Sequence, residues 1–137
     1  MAHRHDIGHI STPPTLGDLE AIAREAFAGI PAELRRFARG VVIRVEDFPD
    51  DETLDEMECE TPFDLLGLYR GVDLRSKSVQ DTPDDLDMVY LYRRPILDYW
   101  CDVGEDLTHV VRHVLIHEIG HHFGLSDDDM ERIEAQV

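Results

Sequence analysis

His117-Glu118-Ile119-Gly120-His121-His122-Phe123-Gly124-Leu125-Ser126-Asp127 is the stretch on which the reading of this chain turns. Leu107, Val110, Val111, Val114 and Leu115 form an apolar stripe leading into it, and Gly104-Glu105-Asp106 supplies an acidic start suited to the positive end of a helix. One long helix is therefore expected. On it, residues four apart lie nearly above one another, so His117 and His121 project from the same face. Glu118 points about 100° around from His117. That is too far to join the pair easily, yet near whatever the pair holds. Gly124 stands where a helix can end on a left-handed residue at little steric cost. The chain then reverses, which would carry Asp127 back across the two imidazoles.

This pattern has a chemical reading. Two neutral imidazoles held one helical turn apart bind Zn²⁺ through nitrogens at about 2.0–2.1 Å. In an H-E-x-x-H helix the metal acidifies a water and the glutamate accepts its proton. The expected centre is Zn²⁺ on His117, His121 and Asp127, with its fourth position open and Glu118 as the catalytic carboxylate. Asp127 also has a competing reading. Three aspartates follow Ser126, and any of Asp127, Asp128 and Asp129 would suit the first turn of a last helix. His122, about 100° from His121, falls outside the ligand face and is expected to be packed or hydrogen-bonded.

Outward from the motif, Thr15 after Pro13-Pro14 opens a helix carrying Leu16, Leu19, Ile22, Ala23, Ala26 and Phe27, which Gly29-Ile30-Pro31 ends. A short helical piece is expected over 32–39, and another near 54–57. Three strands are expected at 41–45, 65–71 and 88–94, the last stopped by Pro95, with a short helix over 96–100 and a polar loop over 75–87. A final helix, N-capped by Ser126, would bury Met130, Ile133 and Val137 on one face. Helices and strands that are grouped rather than regularly alternating make this an α+β domain. Tyr90 and Tyr92 share one face of the third strand and are candidate substrate-binding residues at a sheet edge, against the plainer reading of aromatic packing. Arg93 and Arg94 are expected to pair with carboxylates, and Trp100 to lie in the core.

The composition sets limits on partners. With 13 Lys and Arg against 30 Asp and Glu, the net charge of −17 repels phosphate backbones and anionic lipid, so neither nucleic acid nor membrane is expected as a partner. Cys59 and Cys101 make no disulfide scaffold and are expected to be reduced and partly buried. The first 14 residues, with His3, His5 and His9, are read as a disordered or extended tail ahead of a single domain over 15–137. No apolar run resembles a signal peptide or a membrane span, and the cytoplasm is the expected location.

Residues 117–127 resemble the Asp-type zincin signature, in which aspartate replaces the third histidine of metzincins. Leu65-Leu66-Gly67-Leu68-Tyr69-Arg70-Gly71-Val72 and Tyr92-Arg93-Arg94-Pro95-Ile96-Leu97 are similar to segments of a family of short bacterial zincin-like proteins, described as zinc metallopeptidases with a minimal zincin fold. The resemblance covers about residues 20–135. It implies a small α+β domain with the motif helix packed on a short sheet of about three strands. It also implies His117, His121 and Asp127 as zinc ligands and Glu118 as the catalytic group, but the substrate does not carry over with it; a peptide or protein is the substrate expected from the H-E-x-x-H chemistry. Unlike metzincins, the chain has few residues after Asp127, with no methionine turn, and Met130 is read as core. That truncation motivates an alternative: a zinc-binding regulatory or interaction domain of the same fold without proteolytic activity. Hydrolysis of a non-peptide amide is a third reading. Oligomeric state is not legible.

Overall fold

The computed structural model of the chain describes residues 12–71 and 87–137. Most of the N-terminal tail, with His3, His5 and His9, and all but Asp87 of the loop expected at 75–87 lie outside the described residues. The first helix, α1 (Leu16–Ala28), starts where the Thr15 hydroxyl accepts from the Asp18 amide while the Asp18 carboxylate accepts from that of Thr15, a reciprocal cap. Leu19, Ala23 and Ala26 are its buried face. The expected piece over 32–39 is a single turn, α2 (Ala32–Arg35), tightened into a 3-10 turn at Arg36–Ala38.

Three strands follow in the order β1 (Val42–Glu46), β2 (Gly67–Arg70) and β3 (Met88–Tyr92), with the short helix α3 (Asp51–Glu56) between the first two. Asp50 caps α3 through the Thr53 amide. β3 is central, parallel to β1 and antiparallel to β2, so the sheet is mixed. α4 (Arg93–Val103) begins directly after β3. Here the sequence expectation needs correcting: Pro95 does not stop a strand running to Arg94 but sits in the first turn of a helix. There its missing N–H would have had no intrahelical acceptor in any case.

The motif helix, α5 (Leu107–His122), is capped by the Asp106 carboxylate and ends before Gly124, whose φ of 78° is the left-handed reversal expected there. α6 (Asp127–Glu134) is N-capped by the Ser126 hydroxyl on the Asp129 amide, and buries Met130 and Ile133. Val137 departs from expectation: it lies beyond the helix and is exposed. Cys59 is half-buried and Cys101 exposed, both as free thiols. Trp100 packs half-buried against the core.

The core lies between one face of the sheet and the helices α1 and α5. Val45, Tyr69, Val89 and Leu91 meet Leu19, Ala23 and Ala26 from α1 and Val110, Val111, Val114, Leu115, Ile116 and Ile119 from α5. Among the described residues this is an α+β fold of six helices and a three-stranded mixed sheet, the arrangement of a zincin-like domain.

Close approach of α5 to β2 depends on Gly67. A Cβ at that position would stand 2.7 Å from Val114 Cγ1 and 3.0 Å from the Tyr90 carbonyl oxygen, neither of which can swing aside. Gly67→Ala is expected to destabilise the fold by about 1–3 kcal/mol, the usual cost of overpacking. Adding Val114→Ala should recover part of that loss. Thermal or urea melts of the two single variants and the double variant check this, and strict additivity would refute the clash.

Candidate metal centre

His109, His113, His117 and His121 recur every four residues along α5. Each step turns about 40° around the axis, so the four imidazoles form one slowly winding row. The apolar residues of the helix are committed to the core, and the row emerges beside α6. Asp127, Glu131 and Glu134 of α6, spaced at one and two turns, make an acidic row facing it. His113, His117, Asp127, Glu131 and Glu134 together line an open depression between the two helices.

Two contacts across that depression define its chemistry. His121 Nε2 lies 3.6 Å from Asp127 Oδ1. This is too long for a hydrogen bond, but close to the ~3.4 Å that separates two ligand atoms bound at about 2.1 Å to a tetrahedral ion. One turn earlier, Glu134 spans two imidazoles, with Oε2 at 2.9 Å from His113 Nδ1 and Oε1 at 3.0 Å from His117 Nε2. The His117 and His121 rings are 5.7 Å apart and nearly perpendicular. Among the described residues, the potential ligand atoms that converge within 4.8 Å of one another are those of His113, His117 and Glu134. His117 and His121 thus share a face as expected, and Asp127 has reached His121, but the His117 nitrogen is engaged by Glu134.

Glu118 lies on the flank of the row, turned about 100° around α5 from His117. It is half-buried, and its Cγ would be 3.5 Å from a Cβ on Gly67. Burial pushes this carboxyl above the ordinary glutamate range, against the opposing pull of His121 and of the Tyr69 N–H. The His117 imidazole is held below its ordinary value, by burial first and by His113 next, with Glu134 pulling the other way. A neutral ring is the form a metal ion takes up. Two imidazoles and a carboxylate are also the donor set of a catalytic zinc site with one position left open. The residues therefore fit the ion that the motif implies.

The remaining candidates lie elsewhere. His122 leaves the row and stacks on Tyr69, with ring centroids 3.9 Å apart and planes 17° from parallel. Tyr90 and Tyr92 stack on each other on the sheet face turned away from α5, lining a separate depression with Glu46, Asp50, Thr53 and Arg70. The structure does not bring them to the motif. Arg93 pairs with Asp47 at 3.0 Å and also donates to the Pro14 carbonyl, while Arg94 lies over the Phe48 ring. Sequence reasoning missed His113 and Glu134. The signals were present: His113 extends the four-residue spacing of His117 and His121 backwards, and Glu134 follows Asp127 by two helical turns.

A mixed sheet beneath a helix bearing H-E-x-x-H defines the zincin class. The family model described as Zincin-like metallopeptidase matches residues 38–137, and the chain belongs to that family, one of metal-dependent hydrolases. The match takes in all three strands, α5 and α6. A search of curated proteins gave no match. Among the described residues, no helix is long and apolar enough to cross a membrane.

Because His122 is stacked outside the row, His122→Ala is expected to cost about 0.5–1.5 kcal/mol of stability and to leave zinc uptake unchanged. Calorimetry and elemental analysis of the purified variant check the two parts. Loss of zinc from a folded His122→Ala protein would make His122 a ligand.

Proposed function

We propose that the protein is a zinc-dependent peptidase in which His117, His121 and Asp127 hold the ion and Glu118 is the catalytic carboxylate. The observation that carries this reading is the 3.6 Å approach of Asp127 to His121 across the Gly124 reversal, on an H-E-x-x-H helix of a zincin-like chain. When bound, zinc supplies a Lewis acid that polarises a carbonyl and makes water a nucleophile at neutral pH.

The chain's own residues do the rest. His117 and His121, projecting together from α5, would hold the ion, with Asp127 completing the set from the start of α6. Glu118 leaves the adjoining side of the same turn, three residues before His121. Its carboxylate takes the proton of the attacking water and passes it to the leaving amine. A peptide or protein is the substrate class that the family description favours.

The mechanism separates binding from turnover. Glu118→Gln is expected to keep stoichiometric zinc and to lose chelator-sensitive peptide cleavage by about 10²–10⁴-fold, the usual contribution of a general base. Elemental analysis and a quenched-peptide library assay on the same preparation measure both. Undiminished cleavage by Glu118→Gln would reject the proposal.

A further inference from the structure

We propose that α5 and α6 carry a second zinc-accepting set, His113, His117 and Glu134, lying one helical turn before the His117–His121–Asp127 set and sharing His117 with it. The inference rests on the reading of His117 and His121 as zinc ligands and extends it to residues that the motif does not contain. His113 and His117 have the same four-residue spacing as His117 and His121, and their ring centroids are 4.1 Å apart. Glu134 reaches both, one oxygen to each ring, and the three ligand atoms converge within 4.8 Å. Bound ligands on a tetrahedral zinc stand about 3.4 Å apart. The two N···O separations, 2.9 Å to one Glu134 oxygen and 3.0 Å to the other, lie a little below that value, so an ion between the rings and the carboxylate requires the three side chains to move apart.

Burial favours this set as well. The Glu134 side chain is 19% exposed, against 86% for Asp127, so its carboxylate is already ordered where it would be needed. An imidazole nitrogen accepts one metal ion, so His117 Nε2 serves one set at a time and the two sets compete. They differ in what stands beside them. Glu118 stands three residues before His121, on the neighbouring part of the helix surface, whereas it follows His113 by five and is turned about 140° from it. An ion held by His113, His117 and Glu134 is therefore away from the catalytic carboxylate. It occupies a resting position on the same helix, and the set acts as a holding site for the metal rather than a second reaction centre.

The test is metal affinity, read without any substrate. The full chain is stripped of metal and titrated with zinc against a chromophoric chelator, and folding is monitored by circular dichroism. His121→Ala is expected to retain stoichiometric zinc at reduced affinity. Adding His113→Ala or Glu134→Gln to His121→Ala should weaken that remaining binding at least about tenfold, the lower end for losing a partner of a metal site. Asp127→Asn, at an exposed position, provides a second background in which the same two additions should have the same effect, should His121→Ala fail to fold. Residual zinc binding that ignores both additions overturns the holding site, as does a folded His121→Ala or Asp127→Asn protein with no residual zinc. In either case the peptidase reading stands, provided the unaltered chain binds zinc. An unaltered chain that takes up no zinc overturns both.

Discussion

The rotational setting of α5 governs the rest of the molecule. This helix is apolar around most of its circumference: Val111, Leu115 and Ile119 follow one line, Val110 and Val114 another, and Ile116 lies between His113 and Gly120, all buried. A helix buried on nearly every side has no freedom to turn. Rotating it by one residue would bring imidazoles into the core and expose aliphatic side chains, each worth about 1.5–3 kcal/mol when buried. The histidine row is what the core leaves uncovered. Glu118, on the flank of that row, is half-sunk against β2 for the same reason, and Gly67 is the gap in the sheet that lets the helix lie so near.

α6 depends on the end of α5. Gly124 turns the chain with a positive φ, Ser126 caps the new helix, and Met130 packs into the space that Gly120 leaves open on α5. The two readings of Asp127, as an acid in a helix first turn and as a ligand, are compatible in this geometry. The cap is supplied by Ser126, so the Asp127 carboxylate is not needed for the amides behind it and stands within 3.6 Å of His121. An acid at a helix start is favoured by the dipole whichever way it points. One residue can therefore satisfy the local rule and serve the site.

Much of this was legible in the sequence because it rests on short-range rules. The caps at Thr15, Asp106 and Ser126, the reversal at Gly124 and the shared face of His117 and His121 all follow from spacing and residue type. What escaped was tertiary. Pro95 reads as a strand stop in isolation, but β3 feeds straight into α4 and the proline falls where a helix tolerates it. Val137 matched the period of α6, yet the helix ends before it. Tyr90 and Tyr92 share a face, as strand alternation requires, but which sheet face α5 would cover was not encoded in that strand. The partnership of Glu134 with His113 and His117 was hidden for the same reason: it depends on how two helices are set against each other after a turn.

The two possible metal sets differ in what an ion must displace. Where His117 Nε2 donates to Glu134 it carries a proton, which it must surrender before binding any metal. A hydrogen bond to a charged acceptor is worth about 1.5–3 kcal/mol, so releasing His117 from Glu134 is a cost common to both sets. The set with His113 loses a second such bond, since His113 Nδ1 also meets Glu134, whereas His121 and Asp127 at 3.6 Å have no hydrogen bond to give up. Against this, Asp127 is exposed and must be immobilised, a side-chain entropy cost that the half-buried, hydrogen-bonded Glu134 has already met. Because the bond lost exceeds the entropy of ordering one short carboxylate, the balance favours His117, His121 and Asp127, the set beside Glu118. The set that Glu134 makes with His113 and His117 is then the weaker of the two, a holding position that gives up its ion to the set beside Glu118.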